Sequence, residues 1–535
     1  MNDEPLPTAP AMPENPPGMP IWAAAATAAA DAFPQLDADL SVDVVIIGGG
    51  ITGITTAAQL VRAGRTVAVL EAQEICSGNS SQSTGNLYGP VAVGLYDLGK
   101  KWGDDVVEQV VRSRLLAIDL IERNIVEHDL HCDFTREPWT LYTIAGFPDE
   151  VAQIEHEYQA ARGAGLDAKL SNDLPLPYMI RRALVVRNQA QFNPFLYVRG
   201  LAAAIQSAQC RICEHSAVVD IDIDAGIVRT IGYAVRADHI VMATHTPKGF
   251  NVLQTELGPY REYAVAIPMG AKELPSGIFW SAGEDKTSTR LAEIGGKPYV
   301  LMIGEKHKTG QEAHPETCYR KLEQYLQSRF DARFDASAQV FRWSAQQYRS
   351  ADGLPYIGSS GTASSLYLAT GFGPDGLTYG SLAGWMIADE ICGRKNPYTE
   401  LYSPRRFTPV KSARNFLKEN LNVAGRYIKD YTQSADAMAL SGMPPGEGGL
   451  VEIDGQRVAA YRDDAGRLHA LSPVCTHLKC IVHWNRAERS WDCPCHGSRF
   501  RYDGSVIEGP ALHPLKPFGQ EPEQPDVDLS MPPPV

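Results

Sequence analysis

The sequence lacks the run of roughly 18 apolar residues that spans a bilayer, and it is short of positive charge. Its 535 residues include 49 Lys and Arg against 63 Asp and Glu, for a net charge of −14. This balance disfavours nucleic acid and anionic membrane surfaces as partners. The first residues also lack the basic head and apolar run of a signal peptide. We therefore expect a cytoplasmic protein with no membrane span.

Cysteine is sparse through most of the chain and concentrated near its end. Six of the ten cysteines are scattered between positions 76 and 392, and the other four fall between 475 and 495. A secreted disulfide scaffold would spread its cysteines through a short chain. The distribution instead indicates a reduced cytosolic protein with one metal site.

Composition and periodicity divide the chain into segments. Seven prolines in the first 20 residues leave little apolar surface to bury, which is typical of disorder. Later residues alternate helical and strand patterns, and turn signals then recur in an all-β texture. The predicted segments are a disordered Pro/Ala-rich tail over 1–40, an α/β domain with β-rich parts over 41–402, a linker over 403–435, a β domain over 436–525 and a tail over 526–535.

A glycine-rich turn follows the first predicted strand. Gly48, Gly50 and Gly53 form G-x-G-x-x-G between an apolar strand and a helical pattern, the context that a dinucleotide-binding fingerprint requires. The glycines allow a tight turn, a close pyrophosphate and close helix packing. Glu71 ends the next strand, where a carboxylate binds ribose hydroxyls and repels a 2′-phosphate. FAD or NAD is therefore favoured over NADP.

Two boxes near the end of the chain each mix cysteine with histidine, CTHLKC at 475–480 and CPCHGS at 493–498. Zinc fingers pair Cys with Cys and His with His, so a zinc site is disfavoured. A Rieske [2Fe–2S] cluster takes two thiolates on one iron and two imidazoles on the other. We predict that the ligands are Cys475, His477, Cys493 and His496. The module resembles Rieske ferredoxins and cytochrome Rieske proteins, which implies a Cys480–Cys495 disulfide; two free thiols are the alternative.

Nearly all of residues 41–400 resemble the D-amino-acid oxidase superfamily of flavoproteins. The resemblance rests on DVVIIGGGITGITTAAQLVRAGRTVAVLEA at 43–72, SGNSSQSTGNL at 77–87, IVMATHTP at 240–247, DGLPYIG at 352–358 and ATGFGPDGLTYG at 369–380. With the appended module, the chain resembles FAD-dependent oxidoreductases that carry a carboxyl-terminal Rieske domain. The implied architecture is a Rossmann-like FAD-binding domain with an inserted β-rich substrate domain, followed by a Rieske β-sandwich.

The resemblance also implies which residues bind FAD, and we expect the binding to be non-covalent. The implied cofactor residues are Gly48, Gly50, Ile51, Thr52, Gly53, Glu71, Ala72, Ser77, Gly78, Asn79, Ser80, Ser81, Val218, Val219, Ala243, Thr244, Gly373, Asp375, Gly376, Leu377 and Thr378.

Substrate residues are less sharply indicated. In glycine and D-amino-acid oxidases an arginine clamps the substrate carboxylate, and the resemblance aligns Gln347 near that position, with Arg349 offset by two residues. Glutamine does not replace a bidentate arginine, so an amine fits as well as an amino acid. We take Gln347, Tyr263, His307 and Tyr348 as catalytic candidates.

The resemblance implies oxidation of a C–N bond by hydride transfer to FAD, and the cluster adds a one-electron outlet. We predict a dehydrogenase or oxidase that passes electrons to an external acceptor or ferredoxin-like protein. Two alternatives stay open, namely electron flow from cluster to flavin, as in a reductase or oxygenating flavoprotein, and a non-enzymatic redox sensor. A Rieske oxygenase is disfavoured because HDLHCD at 128–133 does not match a two-His, one-carboxylate iron site.

Overall fold

A computed structural model of the chain describes residues 18–24, 32–144, 147–269, 275–283, 286–330, 339–361, 363–406, 408–432 and 440–519. The predictions for residues 1–17, 25–31, 433–439 and 520–535, which include the tail over 526–535, lie outside the described residues.

The described residues form 24 strands and ten α-helices. The strands are β1 (Leu40–Ile47), β2 (Val67–Leu70), β3 (Asn86–Leu87), β4 (Thr135–Thr143), β5 (Ala168–Ser171), β6 (Arg182–Gln191), β7 (Cys210–Cys213), β8 (Val218–Asp222), β9 (Ile227–Thr230), β10 (Ala234–Met242), β11 (Leu257–Pro268), β12 (Ile278–Ser281), β13 (Ser288–Ile294), β14 (Lys297–Lys308), β15 (Phe341–Ser350), β16 (Tyr356–Ser359), β17 (Leu366–Thr370), β18 (Gly448–Ile453), β19 (Gln456–Arg462), β20 (Leu468–Leu471), β21 (His483–Asn485), β22 (Ser490–Asp492), β23 (Arg499–Arg501) and β24 (Val506–Glu508). The α-helices are α1 (Ile21–Ala24), α2 (Ile51–Arg62), α3 (Leu95–Trp102), α4 (Asp104–Glu127), α5 (Pro148–Gly163), α6 (Pro194–Ile205), α7 (Glu316–Phe330), α8 (Gly376–Ile391), α9 (Thr399–Tyr402) and α10 (Pro409–Thr432). Short 3-10 helices cover Val252–Glu256 and Leu440–Gly442.

The first sheet is the predicted Rossmann-like sheet. Its order is β16-β17-β10-β1-β2-β7, with β17, β10, β1, β2 and β7 parallel. β1 lies in the middle, and its apolar end is buried, as expected for a parallel strand covered on both faces. Helix α8 packs closely on α2 because a Cβ at Gly384 would lie 2.7 Å from Cβ of Thr55.

The second sheet is the predicted β-rich insertion. Its order is β15-β11-β14-β13-β12-β4-β6-β3, and its pairings are antiparallel except that of β12 with β4. Its strands come from two stretches of chain, one between β2 and β7 and one between β10 and β16. The chain therefore leaves the first sheet twice to build the second, which sets the second sheet beside the carboxyl ends of the parallel strands.

The carboxyl-terminal domain is all β, as predicted. It contains the antiparallel sheets β18-β19-β20 and β21-β22-β23-β24. The loops before β21 and between β22 and β23 carry the two Cys-His boxes. Trp491 and Phe500 are fully buried beneath these loops.

Much of the predicted linker is helical in the structure. Helix α10 contacts both the second sheet and the carboxyl-terminal domain. Glu419 accepts a hydrogen bond from the Tyr260 hydroxyl at 2.9 Å, and Asp430 lies 3.1 Å from the His483 imidazole. Among the helices of the described residues, none has both the length and the apolar content needed to cross a bilayer.

The predicted disordered tail over 1–40 is wrong for the described residues of that segment. Ile21 and Trp22 are buried, and the Trp22 indole N–H donates to the Ser83 carbonyl at 2.7 Å. Phe33 and Leu36 are also buried. A few large apolar side chains among the prolines and alanines are enough to hold these residues on the domain surface.

Candidate functional site

A cavity of about 760 Å³ runs from the carboxyl end of β1 to the second sheet. The volume lies within the usual range for ligand and cofactor sites. Gly48, Gly50, Ile51 and Thr52 line it, so the amino terminus of α2, the part of a helix that binds phosphates, faces the cavity. The Ile51 N–H there donates to the Ser80 hydroxyl at 3.0 Å. Gly48 has a φ of +108°, and a Cβ there would lie 2.6 Å from the Ala243 carbonyl oxygen.

The Glu71 carboxylate is fixed at the rim of this turn. It accepts hydrogen bonds from the backbone N–H groups of Gly49 at 2.7 Å and Gln73 at 2.9 Å. Burial raises its pKa, while these hydrogen bonds oppose that effect. The carboxylate lines the cavity, in the arrangement that suits a ribose of a dinucleotide.

Most of the other implied cofactor residues line the same cavity. They are Ala72, Ser77, Gly78, Asn79, Ser80, Val218, Val219, Ala243, Thr244, Gly373, Gly376 and Leu377. The remaining four, Gly53, Ser81, Asp375 and Thr378, lie behind this lining.

Three of these four have a clear supporting role. A Cβ at Gly53 would lie 2.0 Å from the Gly48 carbonyl oxygen, so this glycine serves close packing. The Ser81 hydroxyl donates to the Gly78 carbonyl at 3.0 Å. Asp375 accepts from the Tyr88 hydroxyl at 2.6 Å. These contacts hold the cavity wall in place and do not reach into the cavity.

The end of the cavity beside Gly373 is ionic on one side. Gln347, Arg349, Glu262 and Lys306 line it, and a Cβ at Gly373 would lie 3.9 Å from both the Gln347 amide oxygen and Cγ of Arg349. Burial raises the pKa of Glu262, and the positive charges of Arg349 and Lys306 offset part of this increase. Burial and the Arg349 charge lower the pKa of Lys306 to about 8.

The opposite side of this end is aromatic. Tyr88, Trp139 and Trp280 line it, with ring centroids 5.2 to 6.2 Å apart. Sequence reasoning missed these three residues and also Glu262 and Lys306. They stand on strands and a loop far apart along the chain, and no local motif marks them.

Of the four catalytic candidates, only Gln347 lines the cavity. Tyr263 is fully buried in the core between β11 and α7, where its hydroxyl lies 3.2 Å from Nε2 of His307. The Tyr348 hydroxyl donates to the His496 carbonyl at 3.2 Å. Catalytic contact by Tyr263, His307 or Tyr348 is therefore not supported. Tyr263 is buried in the core, the half-buried His307 contacts it outside the cavity lining, and Tyr348 faces the carboxyl-terminal domain.

The four predicted cluster ligands converge at the loop tips of the carboxyl-terminal domain. Cys475 and Cys493 are buried, and the rings of His477 and His496 lie 5.1 Å apart at 88°. Nδ1 of His496 is buried without a hydrogen-bond partner among the described residues. Such an atom is costly unless something binds it. Two thiols and two imidazoles fit the donor set of a Rieske cluster.

A disulfide joins the two ligand loops. It links Cys480 to Cys495, the pairing that the resemblance implies. Cys480, Cys493 and Cys495 lie close enough to suggest a thiolate metal site, but the disulfide removes two of those sulfurs as ligands.

The cluster site lies directly against the flavin domain. Nε2 of His477 lies 3.0 Å from the Gln254 amide oxygen. The Gln346 amide donates to the Gly497 carbonyl at 2.8 Å. Arg261, fully buried on β11, pairs with Glu488 and Glu508 of the carboxyl-terminal domain. An interface with buried charge pairs of this kind fixes orientation, because a misplaced charge would be left unpaired.

Comparison with known proteins matches two successive segments of the chain to two families. FAD dependent oxidoreductases match residues 43–390, and the Rieske [2Fe-2S] domain matches residues 434–519. The chain belongs to the FAD dependent oxidoreductase family and carries a Rieske domain. A Bacillus subtilis (strain 168) protein named as a Rieske 2Fe-2S iron-sulfur protein, YhfW, is 33% identical over 491 residues, which cover 90% of this chain and 94% of that protein.

Solved structures share the fold of the first domain. Glycine oxidase from Geobacillus kaustophilus has a TM-score of 0.55 at 18% identity, covering 69% of this chain and 100% of its own. L-proline dehydrogenase from P. horikoshii has a TM-score of 0.56 at 19% identity, covering 69% of this chain and 98% of its own. The protein is therefore a flavin enzyme, an FAD-dependent oxidoreductase with a [2Fe–2S] cluster. When bound, FAD supplies two-electron chemistry and the cluster supplies a one-electron carrier.

Proposed function

We propose that the protein oxidises a C–N bond of a small amine or amino-acid-like substrate by hydride transfer to FAD. The two electrons then leave singly through the Rieske cluster to an external acceptor. The observation that carries this proposal is the 3.0 Å contact of His477, a predicted cluster ligand, with Gln254 of the flavin domain. Two cofactors bound in adjoining domains of one chain favour direct electron transfer from one to the other.

The ionic end of the cavity supports a substrate with both an amine and a negative group. Gln347 stands where the resemblance expects an arginine. Residues two apart on a strand face the same side, and Arg349 therefore presents its side chain beside Gln347, whose amide oxygen accepts from Arg349 Nε at 3.0 Å. Arg349 and Lys306 suit a carboxylate, and Glu262 suits an ammonium group.

The aromatic side of the same end supports exclusion of water from the reacting carbon. Tyr88, Trp139 and Trp280 present ring faces and edges to the cavity, and such faces also attract a cationic amine. In the proposed reaction the hydrogen leaves carbon with its electron pair, and the amine becomes an imine. Addition of water then releases a carbonyl compound and the free amine or ammonia.

A cytoplasmic location is part of the proposal. The cysteines outside the cluster domain, at 76, 132, 210, 213, 318 and 392, are free thiols. Free thiols throughout a large domain are typical of a reducing compartment.

Anaerobic titration of the purified holoprotein with a panel of amines and amino acids tests the substrate class. We expect the flavin absorbance band to bleach with at least one carboxylate-bearing amine, and not with the corresponding hydroxy acid. Bleaching should need far more substrate in Arg349→Met, whereas Arg187→Met, at an exposed ion pair with Asp167, should behave as the unmodified protein. Reduction by NADH with no response to any amine would contradict the proposal.

A further inference from the structure

The carboxyl-terminal domain forms one wall of the dinucleotide cavity. Val506, Ile507 and Glu508 of β24, together with Gly509 and Leu512 after it, line the same cavity as Gly48 and Glu71. The segment 505–512 is therefore part of the FAD site, although it lies more than a hundred residues beyond the end of the family match at residue 390.

The wall and the strand before it are hydrogen-bonded to residues that line the cavity. Near Glu71, Arg501 donates to the Gln73 amide oxygen at 3.1 Å. Farther along, the Lys248 ammonium group donates to the carbonyls of Gly509 at 2.7 Å and Ala511 at 3.3 Å.

The strongest attachment is at the flavin loop. The Asn79 amide donates to Glu508 at 2.6 Å, and its oxygen accepts from the Gln346 backbone N–H at 2.9 Å. Arg261 and Arg499 also donate to Glu508, at 3.0 and 2.8 Å. Burial opposes ionisation of Glu508, but Arg499 and Arg261 outweigh it and lower its pKa. An ionised carboxylate held by three donors makes a rigid closure.

We infer that segment 505–512 of the Rieske domain closes the FAD site, so that FAD enters or leaves only when this domain moves away from the flavin domain. Retention of FAD then depends on the docking of a domain that binds a different cofactor. This inference concerns FAD retention and does not depend on which substrate is oxidised.

The test measures how fast the holoprotein releases FAD after dilution, followed as a rise in free-flavin fluorescence. The variant Glu508→Gln removes the charge that holds the wall, and we expect release about tenfold faster or more, which corresponds to a loss of about 1.4 kcal/mol. Glu447→Gln is the matched control because Glu447 pairs with Arg486 elsewhere on the same domain. Its release rate should equal that of the unmodified protein.

Cluster absorbance in each variant reports whether the Rieske domain is intact. A Glu508→Gln protein that keeps its cluster and releases FAD at the unmodified rate would overturn the inference. Should that variant fail to fold, hydrogen exchange of the unmodified protein with and without FAD decides. We expect slower exchange in segment 505–512 when FAD is bound, and equal exchange in both forms would overturn the inference.

Discussion

Nε2 of His477 lies 3.0 Å from Oε1 of Gln254, so the flavin domain contacts an imidazole that we predict to ligate the cluster. A histidine that ligates a metal through one nitrogen usually donates its other N–H to a neighbour, which fixes the tautomer and the ring orientation. Here that neighbour comes from the other domain. The contact therefore links the geometry of the cluster to the docking of the two domains.

Replacing Gln254 by leucine should slow electron transfer to the cluster. Leucine keeps the bulk of the side chain but removes the oxygen that accepts from His477, together with the amide group that donates to the carbonyls of Pro247 and Gly249. Changes to such supporting partners typically cost about 10- to 100-fold in activity or metal affinity. In stopped-flow measurements we expect a roughly tenfold slower reduction of the cluster and an unchanged rate of flavin bleaching by substrate.

Gln109→Leu is the control for this variant, since Gln109 is exposed on α4, where its amide donates to the Asp105 carbonyl at 3.3 Å. A cluster that is reduced at the same rate in Gln254→Leu and in the unmodified protein would contradict a role for the contact.

A methyl group at Gly53 should disrupt the dinucleotide turn. A Cβ there would lie 2.0 Å from the Gly48 carbonyl oxygen, so the backbone of the turn must move. We expect Gly53→Ala to lower the free energy of unfolding by about 1–3 kcal/mol, as overpacking of a rigid site does, and to lose FAD. Gly163→Ala, at the end of α5 with open space around it, should unfold at the same or a higher temperature. An FAD content equal to that of the unmodified protein in Gly53→Ala would be inconsistent with this packing.

Removing the disulfide should destabilise the cluster domain. Cys480 and Cys495 are 15 residues apart, and a cross-link closing a loop of that length contributes about 3 kcal/mol. We expect the double variant Cys480→Ser, Cys495→Ser to lose its cluster absorbance at a lower temperature or denaturant concentration. Flavin absorbance measured in the same samples shows whether the first domain survives. Identical cluster melting curves with and without the disulfide would show that it contributes no stability.

Substrate binding should weaken as the pH rises through the pKa of Lys306. That pKa is lowered to about 8, first by burial and then by the neighbouring Arg349 charge. Deprotonation leaves a neutral amine, so attraction for a carboxylate is present below this pH and is lost above it. In the unmodified protein we expect the dissociation constant of a carboxylate-bearing substrate to increase as the pH is raised above about 8.

In Lys306→Met the substrate dissociation constant should be larger at low pH than in the unmodified protein, and it should no longer increase with pH. Lys321→Met is a suitable control because Lys321 pairs with Glu305 at an exposed site. An identical pH profile in Lys306→Met and the unmodified protein would rule out this role.

Local chemistry explains why the cofactor sites could be predicted from the sequence. The Gly48–Gly53 turn must sit between a strand and a helix to bind pyrophosphate, and that order is visible along the chain. The predicted cluster ligands occupy two short boxes because each tight loop must supply one thiolate and one imidazole. In both cases neighbours in sequence are neighbours in the site.

The substrate end and the domain interface have no such local signature. Glu262, Lys306 and Arg349 come from three strands of the second sheet, and their meeting depends on the register of β11 with β14 and β15. Only residue type marks Tyr263 and His307 in the sequence. Alternation along the strands places Tyr263 in the core and His307 beside it, outside the cavity lining. The burial of Trp22 within a Pro- and Ala-rich segment depends on a surface formed by distant residues.

Stopped-flow mixing of the oxidised holoprotein with an amine substrate, without oxygen, tests electron transfer from flavin to cluster. We expect the flavin to bleach first and the cluster then to be reduced at a rate independent of protein concentration, because both centres belong to one chain. A cluster that stays oxidised beside a fully reduced flavin would rule out this transfer. So would a cluster that is reduced before the flavin, or only in proportion to protein concentration.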